Sequence, residues 1–199
     1  MKARITSHSD HPIGKMFQEF FSCDFFSRRT DFDVTNTDDR ERFIEDTDKY
    51  DWTINLTRGM PYGGANLLLD LSGYCHSNRI EHKVFNIGSY ISYALLNMPD
   101  NSYDVEKAAL KLTHRKISMD YLFHGTTLDS RLLTVGYIKE YSNLETNYPH
   151  LSGVSFDSIF DNIKFMIENS EIKELSLQYN QPGNHRMNNG VGIIMPGVF

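Results

Sequence analysis

The chain has 199 residues, which suits one α/β domain with a sizeable core and barely suits two. Its formal net charge of −6 and the absence of a Lys/Arg run argue against a nucleic-acid surface, and no stretch approaches the ~20 apolar residues of a membrane span. No cleavable apolar segment precedes Ala3-Arg4-Ile5, and Cys23 and Cys75 have neither metal spacing nor the neighbours for a disulfide framework, so a reduced, cytoplasmic protein is expected.

Ala3 to Thr6 reads as a first strand. Pro12 opens a helix whose apolar face is Ile13, Met16, Phe17, Phe20 and Phe21. A second strand runs from Asp24 to Ser27 and ends at Arg28-Arg29, and Phe32-Asp33-Val34 reads as a short third extended piece. Thr37-Asp38-Asp39 starts a helix with acids in its first turn, where the dipole favours them. Trp52–Leu56 and Lys83–Ile87 read as strands, with a helix marked by Leu67, Leu68, Leu71 and Cys75 between them. A long helix follows from Ser102 to about Lys116, then a strand from Leu132 to Val135. Phe156, Ile159, Phe160, Ile163 and Ile167 mark a last helix and Glu174–Leu177 a last strand. Regular strand–helix alternation implies a parallel sheet covered on both faces. Residues 1–178 are expected to form this domain, and residues 179–199, rich in Asn, Gly, Pro and Met, an irregular tail. His8, His11, His76 and His82 lack metal-ligand spacing and read as scattered surface residues, so no metal site is expected.

In an open parallel sheet a ligand binds beyond the carboxyl ends of the strands, where the strand order reverses, and free N–H groups at a helix start attract anions. The first strand-to-helix turn is Thr6-Ser7-His8-Ser9-Asp10-His11-Pro12-Ile13-Gly14. It resembles the short-chain dehydrogenase/reductase turn Thr-Gly-x-x-x-Gly-Ile-Gly in degraded form. Thr6, Ile13 and Gly14 match, Ser7 replaces the first glycine, and His11-Pro12 replaces the second with one extra residue. Glycine would let the backbone approach phosphates at positive φ. Here Ser7, His8 and Ser9 offer side-chain donors instead. Taken alone, the segment reads equally well as a polar turn with no ligand.

The resemblance continues along about residues 2 to 178 and implies a compact, Rossmann-like doubly wound sheet of about seven strands. Arg28 stands where the family reads the adenosine ribose, and an arginine there pairs with the 2′-phosphate of NADP rather than with NAD. Asp33-Val34 resembles the pair that touches adenine. Ile54-Asn55-Leu56-Thr57-Arg58-Gly59 is similar to Val-Asn-Asn-Ala-Gly at Asn55 and Gly59 alone. Leu133-Thr134-Val135-Gly136-Tyr137-Ile138 resembles the Pro-Gly-x-Val turn, which implies nicotinamide contacts from Gly136 and Ile138. The substrate lid is shortened to about Lys139 through Gly153.

The strongest signal is Val84-Phe85-Asn86-Ile87-Gly88-Ser89, followed fourteen residues after Ser89 by Tyr103-Asp104-Val105-Glu106-Lys107-Ala108-Ala109-Leu110. Tyr103 and Lys107 share a helix face. A neighbouring ammonium favours the phenolate, so Tyr103 can exchange a proton with a substrate oxygen. The resemblance adds that Lys107 holds the nicotinamide ribose and that Ser89 orients the substrate oxygen. The partner of the proton relay is left open between Asn66 and Asn86. The expected activity is NADP(H)-dependent hydride transfer with a small carbonyl or alcohol, in a homodimer or homotetramer. The alternatives are a nucleotide-binding or structural relative without turnover, and a sugar-nucleotide-modifying relative, against which the small size argues.

Overall fold

The computed structural model describes residues 1–57, 62–89, 102–136, 138, 140, 153–177 and 191–194, with the backbone alone for 102, 104 and 191–194. Seven strands form one sheet: β1 (Lys2–Ile5), β2 (Ser22–Phe25), β3 (Trp52–Asn55), β4 (His82–Ser89), β5 (Leu128–Val135), β6 (Glu174–Leu177) and β7 (Val191–Ile194). Their spatial order is β2-β1-β3-β4-β5-β6-β7. The first six are parallel and β7 runs antiparallel to β6. The helices are α1 (Pro12–Met16), α2 (Thr37–Glu45), α3 (Gly63–Asn78), α4 (Ser102–His124) and α5 (Phe156–Glu168). The chain leaves β1 toward β2 on one side and returns to β3 on the other, so the strand order reverses between β1 and β3.

Local chemistry explains the helix starts. Asn36 caps α2 by accepting from Asp38 N–H (2.8 Å) and Asp39 N–H (3.3 Å). Ser155 does the same for α5 through Ser158 N–H (3.2 Å). Two apolar layers cover the sheet. Ile13, Phe17, Ile159, Ile163 and Met166 from α1 with its trailing turn and from α5 pack on one face. Phe43, Ile44, Leu67, Leu68, Leu71, Leu110 and Ile117 from α2, α3 and α4 pack on the other. Leu67, Leu68 and Leu71 are fully buried, each contributing roughly 1.5–3 kcal/mol. They lie inside the chain's own core and present no surface to a second subunit. Leu112 remains exposed, with Leu69 and Phe123.

Other expectations need correction. Phe32-Asp33-Val34 is not a strand. Arg28–Thr30 forms one 3-10 turn, Asp31 turns left-handed (φ 55°), and Phe32 and Val34 then drop into the core. Asp33 holds this turn by accepting from Thr35 N–H at 3.0 Å and the Thr35 hydroxyl at 2.7 Å. β5 begins four residues earlier than expected, because Asp129 and Arg131 are buried as an ion pair (2.9 Å). α4 continues to His124, and Val191–Ile194 of the expected irregular tail forms β7. His82 is buried, not a surface residue. Among the described residues, no helix is long and apolar enough to cross a membrane.

Candidate active site

The carboxyl ends of β3, β4 and β5 and the first turns of α4 converge on one region. Lys107 is 4% exposed. Its Nζ donates to the Thr57 carbonyl (2.6 Å), just past β3, and to the Ile87 carbonyl (3.2 Å) in β4. The same ammonium lies 5.7 Å from the centroid of the Tyr103 ring, one helical turn earlier. Ser89, the last residue of β4, is half-buried and pairs in register with Val135. The half-buried Gly136 donates its N–H to the Leu177 carbonyl (3.1 Å), and Ile138 forms a single bridge with Val154. Gly59, Tyr137 and most of the shortened lid lie outside the described residues.

Beneath this region the amides of Asn55 and Asn86 meet in register on β3 and β4. Asn55 Nδ2 donates to Asn86 Oδ1 (3.1 Å) and the Gly64 carbonyl (3.0 Å), while its Oδ1 accepts from the Thr57 hydroxyl (2.9 Å). Asn86 Nδ2 donates to Ser130 Oγ (3.1 Å) and the Arg131 carbonyl (3.0 Å). Both amides are therefore spent inside the sheet. Asn66 sits in the first turn of α3, half-buried.

At the β1–α1 turn the Thr6 hydroxyl accepts from Leu56 N–H (3.0 Å) and stitches β1 to β3. Ser7 and His8 are half-buried, Ser9 is exposed, and Ile13 lies in the core. At the start of α1 Pro12 has no N–H, and Gly14 N–H is turned to His11 Nδ1 (3.4 Å). Gly14 serves packing: a β-carbon there would lie 3.2 Å from the Phe25 ring. An Asp10–Arg29 ion pair (3.7 Å) links this turn to the end of β2.

Beyond β2, Ser27 and Thr30 form a capping box around the 3-10 turn that carries Arg28. Arg28 Nε and Nη2 both lie 2.9 Å from Asp33 Oδ2. The Thr35 N–H and hydroxyl, then Arg28, hold the Asp33 carboxyl below its ordinary range. Val34 is buried, with its carbonyl on Arg40.

Sequence reasoning missed Thr57, Gly64, Ser130 and His114. His114 is buried and its Nδ1 lies 2.8 Å from Ser130 Oγ. Its signal was its spacing, seven residues after Lys107 on one helix face. Cys23 and Cys75 are free thiols, each pushed up to about 11 by burial, so neither is a ready nucleophile at neutral pH. Among the described residues no three His, Cys, Asp or Glu side chains cluster as metal ligands do.

No family model and no curated protein sequence matches the chain. Solved structures do. A small-chain dehydrogenase in complex with NADPH is 13% identical, with 89% of this chain and 96% of that chain covered and a TM-score of 0.67. A short-chain dehydrogenase from Burkholderia cenocepacia in complex with NADP is 14% identical, with 88% and 89% covered and a TM-score of 0.63. A GDP-L-fucose synthetase from Naegleria fowleri is 11% identical, with 92% and 78% covered and a TM-score of 0.64. With these proteins the chain shares its fold, a doubly wound, Rossmann-like parallel sheet.

Proposed function

We propose that the protein is an NADP(H)-dependent oxidoreductase that moves hydride between the nicotinamide and a small carbonyl or alcohol. One observation carries this reading: the buried Lys107 ammonium, 5.7 Å from the Tyr103 ring centroid, at the carboxyl ends of β3 and β4. A cation fixed there favours the phenolate, which suits Tyr103 to donate a proton to a developing alkoxide or to take one from an alcohol. Ser89, at the end of the neighbouring strand, orients the substrate oxygen by hydrogen bonding. Lys107 also serves the nicotinamide ribose. Gly136 and Ile138 border the nicotinamide, and Asn55 supports the floor through Thr57. When bound, the cofactor supplies the hydride.

The residues fit the adenosine end of such a cofactor. Arg28 is exposed at the end of β2, held by Asp33 at 2.9 Å, and presents a guanidinium suited to a 2′-phosphate. Asp33 and Val34 flank the adenine position. At the pyrophosphate, Thr6, Ser7, His8, Ser9 and Ile13 line the turn, with Ser7, His8 and Ser9 offering side-chain donors.

That turn favours one second reading, a nucleotide-binding or structural relative without turnover, because Gly14 N–H is engaged by His11 and Pro12 has no N–H. Titration of the protein with NADPH, read by fluorescence, followed by turnover on a panel of aldehydes and ketones, separates the two. Firm binding with turnover of any carbonyl supports the oxidoreductase. Firm binding with no turnover supports the nucleotide-binding form of the second reading, and no binding supports its structural form.

A further inference from the structure

α4 is tied to the sheet by polar bonds at Lys107 and again two turns later at His114, and one hydrogen-bond chain joins the two points. Lys107 Nζ donates to the Thr57 carbonyl (2.6 Å), and the Thr57 hydroxyl donates to Asn55 Oδ1 (2.9 Å). Asn55 Nδ2 donates to Asn86 Oδ1 (3.1 Å), and Asn86 Nδ2 donates to Ser130 Oγ (3.1 Å). Ser130 Oγ accepts there and lies 2.8 Å from His114 Nδ1, with Ser118 Oγ 3.4 Å from the same nitrogen. Ser118, one turn on, donates to the Ser130 carbonyl (3.2 Å). Every member of this circuit is buried.

The chain has one direction. Reversing either amide would set two donors or two acceptors face to face, because Asn55 Nδ2 also serves the Gly64 carbonyl and Asn86 Nδ2 the Arg131 carbonyl. Burial pushes the His114 pKa down to about 3, so the ring is neutral and bonds Ser130 through Nδ1. Leu110 and Ile117 hold α4 onto the sheet, but apolar packing is non-directional and tolerates small slides along the helix axis. Directional bonds at both ends do not.

We propose that His114 is a positioning residue for Lys107: through Ser130, Asn86 and Asn55 it fixes the slide of α4 that keeps the ammonium on the Thr57 carbonyl and beside the Tyr103 ring. The inference rests on the reading of Tyr103 and Lys107 as the reactive pair. A histidine that merely filled the core would be replaceable by an apolar ring with no effect on Tyr103.

The test is the phenol titration of Tyr103 in the protein without cofactor, read as the ultraviolet difference between each variant and the same variant carrying Tyr103→Phe. Ser130→Ala removes one hydroxyl and leaves Asn86 on the Arg131 carbonyl. His114→Phe keeps a ring without an acceptor, and His114→Asn keeps an acceptor near Nδ1. Lys107→Met reports the full effect of the ammonium. We expect Ser130→Ala and His114→Phe to raise the Tyr103 titration by about one unit, roughly tenfold less phenolate at a given pH, with His114→Asn near the native protein. If Lys107→Met moves the titration and neither Ser130→Ala nor His114→Phe does, the positioning role is wrong while the reactive pair stands. If Lys107→Met leaves it unmoved, the reactive pair itself fails and the proposal falls with it.

Discussion

A β-carbon built on Gly64 would lie 2.2 Å from Thr57 Oγ1. Only glycine at the start of α3 lets the Thr57 hydroxyl reach Asn55 and its carbonyl stay on Lys107. Gly64→Ala should therefore cost roughly 1–3 kcal/mol, as overpacking does. Gly73, in the same helix, has nothing within 4 Å of a built β-carbon, so Gly73→Ala should gain about 0.5–1 kcal/mol. Urea unfolding of both variants checks the contrast, and equal effects would contradict it.

If Arg28 takes the 2′-phosphate as proposed, NADPH should bind more tightly than NADH. Losing one charge-assisted contact costs on the order of 1.5–3 kcal/mol, so Arg28→Ala should erase most of the preference. Fluorescence titrations of both proteins with both cofactors measure it. Equal affinities in the native protein would remove the assignment.

Tyr103→Phe should abolish turnover while leaving folding and NADPH binding nearly intact, since it deletes one hydroxyl and keeps the ring. Acid–base catalysis is typically worth ~10²–10⁴ in rate. Lys107→Ala should harm both rate and affinity, and Ser89→Ala chiefly the rate. Single-turnover hydride transfer from bound NADPH, with binding measured separately, is the measurement. Near-native turnover by Tyr103→Phe would sink the centre.

Stability should fall on mild acidification. Burial, then the Arg4 charge, pushes His82 from 6.5 down to about 3, and burial, then the Arg115 charge, does the same to His114. Each ring nitrogen bonds a buried hydroxyl, His82 Nε2 that of Thr53 (2.8 Å) and His114 Nδ1 that of Ser130 (2.8 Å). Below a pH of 6.5 the unfolded chain binds protons that the folded chain refuses. This stabilisation is complete above 6.5 and is lost as pH falls toward 3, by up to about 1.4 kcal/mol per pH unit for each histidine. Unfolding curves at stepped pH should show the decline beginning above the carboxylate range, and His82→Gln or His114→Asn should make it shallower. A flat profile between 6.5 and 5 would contradict the buried neutral state.

Leu112 is 68% exposed and Phe123 66%, both on α4, with Leu69 on α3 at 47%. Apolar side chains spread along two neighbouring helices suit a two-fold contact. Sedimentation at micromolar concentration should show a dimer or tetramer, and Leu112→Arg should shift it toward monomer. A native protein that sediments as monomer alone would rule this out.

Strand–helix alternation was legible because short strands that alternate apolar and polar residues, as in Trp52–Leu56, are separated by helices with apolar faces. β5 was half hidden. Charged residues seldom mark a strand buried on both faces, yet here Asp129 and Arg131 neutralise each other, and Lys173 joins Asp129 at 2.6 Å. β7 was concealed by the Asn, Gly and Pro around Val191–Ile194. The spacing of Ser89, Tyr103 and Lys107 could be read directly, since a helix repeats locally. The circuit from Thr57 to His114 could not. It joins residues from β3, β4, β5 and α4, and no local pattern reports which polar groups a parallel sheet brings side by side.

The position of β1 bears on how the chain comes together. It is made before β2 and β3 and sits between them, and Arg4 meets Thr53 across forty-nine residues. A chain growing from its amino end must therefore carry Ala3 and Ile5, both destined for full burial, without their second neighbour until the ~50 residues that follow have emerged. Parallel pairing over such a separation is slow. During that interval the strand's open side is a template for any other unfinished copy nearby. Yield on refolding from denaturant should accordingly decline as the protein concentration rises.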